Sequence, residues 1–275
     1  MKIFLVTDIE GAAGILNFED WCTPKGRYYD QGKRLLTEEV NAVVDGFFAG
    51  GATEVLVCDG HGWGAIDPEI LDERAQLQRG QASPTWPFTL DATFDAIAWV
   101  GQHAKSGTPY SQMSHTGSFH VKEATVNGVS VGEFGKMALA AAELGVPVIF
   151  AGGEDAFCRE AEEFAPGVIT VGVKRGCNTE EGLEDVSAEV YAKSKLAAIH
   201  LAPQKVRKLL RQGALKAVQK LHDSPDSFHT CAIKPPYELK LLMRRRECDP
   251  NYPAVLYQRH ATSFIATLNA EYTEE

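Results

Sequence analysis

Asp8, Glu10, Asp59, His61 and His103 fall at the ends of three short apolar runs, and their side chains are of the kinds that hold metal ions. The runs are KIFLVTDIEG, EVLVCDGHG and AIAWVGQHA. Each is β-rich and meets glycine at or just past its end, so each reads as a buried strand breaking into a loop. In open α/β sheets, ligands gather outside the carboxyl ends of the strands. Three such ends carrying carboxylates and imidazoles predict one metal-centred catalytic site. Asp8 and Glu10 are two apart and so project to one side of a strand. Two carboxylates there repel unless a cation or a proton separates them; the plainer alternative is a solvated loop edge. His61 has glycine on both sides, which leaves its imidazole free to swing toward a metal. A lone histidine is more often structural, so the weight rests on the equivalent placement of His61 and His103. Asp59 reads either as a ligand or as an acceptor that orients a histidine.

Two further residues join this set. Glu133 opens a helix in VGEFGK, where the helix dipole would favour a carboxylate in any case. His115 lies in SQMSHTGS, a loop of small polar residues, and such loops carry function more often than packing. His120 is the plainer alternative to it. His200, His222, His229 and His260 lie outside the strand-end pattern and read as structural or surface residues. Arg244-Arg245-Arg246 reads as a solvated face or a subunit contact rather than an anion site.

The elements that must position these residues alternate. Residues 2–8, 53–58 and about 95–101 are the expected strands, with a helix in the later part of the stretch between the first two. Leu35, Val40, Val43, Val44 and Phe47 share one face of that helix, and Gly50-Gly51 ends it. DPEILDERA is a possible short helix. TVNGVSVGE reads as a hairpin turning at Asn127-Gly128. The segment EFGKMALAAAELG is a helix, VPVIFAGGED a strand, AFCREAEEF a helix and VITVGVKRG a strand. This order predicts an α/β fold, a mostly parallel sheet flanked by helices. Past about residue 180 the texture changes. A helix is expected from Pro203 to about Lys220, then strands near 229–233, 237–243 and 262–268. The expected division is a metal-binding catalytic domain over 1–180 and a smaller C-terminal α+β domain over 181–275.

Composition narrows the function classes. The formal charge of −10 over 275 residues argues against nucleic acid or an anionic membrane surface as partner. No stretch approaches the roughly 20 apolar residues of a membrane span. The N-terminal apolar run is too short for a signal segment and meets acids at Asp8 and Glu10, so a cytoplasmic protein is expected. Cys22, Cys58, Cys158, Cys177, Cys231 and Cys248 form no CxxC pair and read as reduced, structural thiols. Cys58, beside Asp59, reads as packing rather than site lining.

TDIEG near the N-terminus, the strand-ending DGH, the GQHA…MSHT stretch and the VGE before a helix occur together in one order. In order and spacing they resemble the zinc-dependent bacterial D-aminopeptidases associated with dipeptide-transport operons. The resemblance covers about the first 180 residues. It implies hydrolysis of the N-terminal residue of short peptides, those of D-amino acids above all, through water activated by a dinuclear zinc centre. It implies two zinc ions per subunit, held by Asp8, Glu10, His61, His103 and Glu133, with Asp8 bridging. His115, in the MSH motif, matches a catalytic histidine. The resemblance also implies a homodecamer of two stacked five-membered rings. Beside it, Glu154 or Asp155 in AGGED is a candidate to receive a substrate's free amino group.

The ligand set alone permits other readings. One is a different two-metal hydrolase, an amidase or a phosphoesterase. Against the latter, no cluster of Arg or Lys sits near the metal motifs to clamp a phosphate, and Lys105 is the candidate picked out. Another is a metal-containing α/β binding protein without catalysis. Structural zinc sites are usually closed and often rich in cysteine, and this donor set is neither.

Overall fold

The computed structural model describes residues 1–80, 83–246, 249 and 251–274. In chain order the elements begin with β1 (Lys2–Thr7), α1 (Phe18–Trp21), α2 (Tyr29–Ala49), β2 (Glu54–Asp59), β3 (Gln76–Gln78) and β4 (Ala96–Gln102). A hairpin of β5 (Val121–Val126) and β6 (Val129–Ser130) follows. Then come α3 (Glu133–Glu143), β7 (Val148–Glu154), α4 (Asp155–Phe164) and β8 (Ile169–Gly176). The remaining elements are α5 (Ala188–Ser194), β9 (Ala198–His200), α6 (Pro203–Asp223), β10 (Tyr237–Met243), β11 (Val255–His260), α7 (Phe264–Leu268) and β12 (Thr273–Glu274).

The fold is α/β. Its main sheet has the order β3-β2-β1-β4-β7-β8-β9, parallel throughout except where β9 runs antiparallel to β8. β1, β4 and β7 are almost wholly buried, which is why each reads as a continuous apolar run. Side chains alternate across the sheet. Ile3 and Leu5 face a core built with α2 and α6, whereas Phe4 and Val6 face one built with α3 and α4. A second, antiparallel sheet, β12-β11-β10-β5-β6, backs the α3 side. Residues on either side of position 180 contribute to both sheets: β9 completes the first, and β5 and β6 pair into the second.

Three expectations for the C-terminal region are corrected. Residues 229–233 form no strand; the segment runs beside the end of α4, with His229 and Cys231 donating to the carbonyls of Pro166 and Phe164. The stretch 262–268 holds a helix, not a strand. The Ser263 hydroxyl caps it through Ala266 N, and the Glu143 carboxylate accepts from the Phe264 and Ile265 N–H groups. A distant carboxylate thus supplies a helix start that local alternation conceals. The strand of this region is β11. DPEILDERA forms turns rather than a short helix, and Asp67 and Asp72 close them through their own loop's N–H groups.

The arginine run is also corrected. Arg244 is buried against the Tyr191 ring, 3.6 Å from its centroid, and donates to the Leu183 carbonyl. Cys58 packs in the core as expected, and burial pushes its thiol up from the ordinary range. The five described cysteines are free; Cys248 lies outside the described residues. Among the described residues no helix is long and apolar enough to cross a membrane.

Candidate metal centre and substrate cavity

The register of the central strands brings the acids and histidines together. β1 lies between β2 and β4, so Thr7 pairs with Asp59 on one side and Val100 on the other. The segments leaving those three ends therefore start side by side. Asp8 still donates its N–H to the Val100 carbonyl, at 3.1 Å. The chains then pass with no room for side chains between them. A Cβ on Gly101, which has φ +75°, would lie 2.0 Å from the Asp8 carbonyl oxygen. One on Gly11 would lie 1.9 Å from that of Gln102. These two glycines let β1 and β4 end close enough for Asp8 and His103 to meet.

Asp8 is the hub. Its Oδ1 lies 3.3 Å from His61 Nδ1, and its Oδ2 lies 3.2 Å from His103 Nε2. Glu10 Oε2 is 3.3 Å from the same His61 nitrogen. Glu133, from the first turn of α3, places Oε2 3.5 Å from His103 Nε2 and Oε1 3.7 Å from His115 Nε2. The His103 and His115 rings stack, with centroids 4.0 Å apart and planes at 14°. Six of the residues named for chemistry from the sequence, Asp8, Glu10, His61, His103, His115 and Glu133, thus converge. Asp59 does not join them. It accepts from the Ala65 and Ile66 N–H groups and pairs with Arg79, so it shapes the loop after β2 and orients no histidine.

The histidines share one arrangement. His61 Nε2 donates to the Cys22 carbonyl at 2.7 Å, His103 Nδ1 to that of Ala104 at 2.8 Å, and His115 Nδ1 to that of Met113 at 2.8 Å. A carbonyl only accepts, so each of these nitrogens carries the proton. The other nitrogen of each ring faces carboxylates. Neutral imidazoles would offer lone pairs to anions there, an arrangement that needs a cation or extra protons. His103 Nε2 and Glu10 Oε2 are buried with no hydrogen-bond partner among the described residues. Two sets of three donors converge closely enough to share an ion: Asp8, Glu10 and His103, and His103, His115 and Glu133. The residues fit a divalent metal of zinc's preferences, with nitrogen and oxygen donors and space beside them.

Electrostatics show what the cluster does without a cation. Burial draws the His61 imidazolium down, but Glu10 and Asp8 outweigh it and push its pKa up to about 12. His103 is raised in the same way, by Glu133 and Asp8 against its own burial. Burial raises Glu133, yet His103 brings it down to about 2. Asp8 is held low by His103 and His61 despite burial. Protons and a metal cation would therefore compete for these imidazoles and carboxylates. His115 behaves oppositely: burial and its cationic neighbour His103 both lower it, so it favours the neutral form.

Several residues that sequence reasoning did not single out support the site. Gln102 donates to Asp8 Oδ2 at 2.9 Å and to Glu133 Oε2 at 3.2 Å, fixing both carboxylates. Its place between Gly101 and His103 at a strand end was the available signal. Glu154, raised as a receiver of a substrate amine, is fully buried and does not line the cavity. It accepts from Ala104 N at 2.9 Å and Gln112 N at 2.8 Å, tying the His103 turn to the His115 loop. Asp155 does not line the cavity either. Lys174 donates to the Glu10 carbonyl from beneath.

Glu39, also beneath the site, accepts from Ala13 N, and its other oxygen has no partner among the described residues. Burial pushes its pKa to about 8. The folded chain thus keeps this proton over a range in which the unfolded chain has released it, and stability falls as pH rises from about 5 to 8. Glu39→Gln is expected to flatten that slope and gain on the order of a few kcal/mol at pH 8 relative to pH 5. Denaturant melts of both proteins at the two pH values read the difference, and parallel slopes would contradict it.

The cluster opens into a cavity of about 420 Å³, a size suited to a small ligand. Asp8, Glu10, His61, His115 and Glu133 lie on one side of it. Phe18, Trp63, Trp86, Phe88, Trp99 and Met137 supply apolar walls, and Lys136 is among the lining residues. Phe18 enters from α1, a short helix capped by the Asn17 side chain. Lys105, the basic residue picked out from sequence, points elsewhere, to the Ser130 carbonyl.

A carboxylate–imidazole centre at the ends of parallel strands, open to such a cavity, defines a metal-dependent hydrolase of α/β fold. The chain belongs to the peptidase M55 family, whose model is described as D-aminopeptidase and matches residues 1–249. The D-aminopeptidase of Bacillus subtilis (strain 168) is 36% identical over 178 residues, which span 64% of this chain and 64% of that protein. Among solved structures, the fold is similar to that of the Zn-dependent D-aminopeptidase DppA from Bacillus subtilis, a self-compartmentalizing protease. The TM-score is 0.82 at 27% identity, covering 98% of this chain and 95% of that one. The sequence-based reading of family and fold class is borne out.

Proposed function

We propose that this chain removes the N-terminal residue of short peptides, D-amino-acid peptides above all, using two zinc ions. Asp8, Glu10, His61, His103 and Glu133 hold the ions. The carrying observation is the shared set of the histidines: one nitrogen of each is spent on a backbone carbonyl, and the other is aimed among carboxylates. Zinc in such a donor set polarises a carbonyl and lowers the pKa of water.

The chain's residues do the rest. Asp8 turns one oxygen toward His61 and the other toward His103, so it would help hold metal beside either histidine. Gln102 keeps Asp8 and Glu133 apart and oriented. His115, with its proton fixed on Nδ1 and its Nε2 bare and facing the cluster, accepts a proton from the attacking water. It then returns that proton to the leaving amine. The aromatic walls exclude water around the scissile bond.

The test is amine release from matched D-alanyl and L-alanyl dipeptides, with added zinc and with chelator. Cleavage of the D series, abolished by chelator, is expected. Cleavage of the L series alone overturns the stereochemical reading, and zinc-bound protein inert on both overturns the aminopeptidase reading. The self-compartmentalizing relative supports the further proposal of a cytoplasmic homodecamer of two pentameric rings. The free thiols accord with a reducing compartment. Sedimentation tests the assembly: one species of ten subunits is expected, and a monomer rejects it.

A further inference from the structure

Lys136 is a cation in the cavity wall with no anion of its own. It lies one turn after Glu133 on α3, half-buried, with its ammonium 5.5 Å from the Trp86 ring centroid. Among the described residues no hydrogen bond or ion pair reaches its ammonium, and its backbone N–H donates to the Gly132 carbonyl. The other buried lysines differ: Lys174 donates to the Glu10 carbonyl, and Lys195 to the Glu180 carboxylate and to Ser111. Glu133 is the nearest acid in sequence, but its oxygens accept from Gly117 and Gln102 and face the histidines. A half-desolvated ammonium without a partner is costly, so this position is poised to take an anion from outside the protein.

We infer that Lys136 receives the C-terminal carboxylate of a dipeptide whose scissile carbonyl lies at the Asp8–Glu133 cluster. This rests on the aminopeptidase reading above. The lengths agree. Side chains three apart on a helix stand about 5–6 Å from each other. A dipeptide's terminal carboxylate lies one residue beyond its scissile carbonyl, roughly 3.8 Å along the chain. A tripeptide would put an uncharged peptide group at Lys136 and its carboxylate a further residue away. Trp86 and Met137 would then flank the side chain of the C-terminal residue. Lys136 is thus a specificity residue that selects dipeptides over longer or amidated peptides, acting on binding and not on bond cleavage.

The zinc-loaded enzyme is assayed on an alanyl-alanine dipeptide and its C-terminal amide, in whichever stereochemical series it cleaves. Wild type is expected to favour the acid at least tenfold in kcat/KM, chiefly through KM. K136M should bring the acid-to-amide ratio near one, and K136R should restore part of the preference. Zinc content and melting temperature are measured for each variant. Equal wild-type kcat/KM for acid and amide overturns the inference while leaving the aminopeptidase reading intact, and needs no variant to fold. A K136M ratio as high as that of wild type also overturns it. Wild type inert on both compounds overturns the aminopeptidase reading, and this assignment with it.

Discussion

Asp8→Asn is expected to leave a folded protein that binds fewer than two zinc ions and hydrolyses peptides more than about 10³-fold more slowly. The amide keeps the volume of the carboxylate and one acceptor oxygen, so Gln102 and the Ile9 N–H compete for a single partner. What is lost is the negative charge between His61 and His103. On the two-zinc proposal, Asp8 would help hold both ions, so its neutralisation would weaken both. Bound zinc lowers the pKa of water from 15.7 to about 7, and loss of even a third of that effect accounts for the fall in rate. Metal analysis, turnover and melting temperature measured together decide the matter. Because a ligand that binds only the folded state stabilises it, chelator should lower the melting temperature of wild type and barely move that of the variant. Full zinc occupancy with wild-type turnover would remove Asp8 from the centre.

His115→Ala separates chemistry from metal binding. Turnover should fall by about 10²–10⁴-fold, the usual contribution of a positioned proton carrier, with zinc content unchanged. Burial draws His115 toward the neutral form. Its Nε2 also lies farther from the nearest carboxylate than the corresponding nitrogen of His61 or His103. It nonetheless belongs to one of the two donor triplets, with His103 and Glu133. Loss of one zinc ion together with the activity would therefore make it a ligand and return the proton transfer to another group. The pH profile adds a second readout: the acidic limb of kcat should vanish in the variant.

Much of the centre was legible because Asp8, Glu10, His61 and His103 follow the ends of largely buried strands. Such strands announce themselves as unbroken apolar runs, and the acid or histidine that breaks each run stands out. Gly101 and the glycines around His61 mark the same ends. The cavity was far less legible. Phe18, Trp63, Trp86 and Phe88 come from segments whose local sequence gives no periodicity, and only the tertiary fold gathers them. Lys136 was within reach, since a residue three beyond Glu133 on a helix must lie beside it. The C-terminal strands went astray where long-range groups decide the local structure. Glu143 starts α7 from a distant helix, and β11 finds its place only by pairing with β10 and β12. Glu154, a sequence candidate to receive a substrate amine, is instead turned inward. Only the structure reveals that backbone N–H groups of two loops consume it.

The order of the central strands governs when the centre can exist. β1 is made first but lies between β2 and β4, and the last proposed ligand, Glu133, follows a further hairpin that pairs with β10, more than 100 residues downstream of it. A chain still on the ribosome thus exposes Asp8 and Glu10 long before their partners are synthesised. No intermediate shorter than 133 residues can carry the whole donor set, and an immature chain has little with which to compete for cellular zinc. The whole donor set can therefore come together only after Glu133 has been made and the central strands have paired.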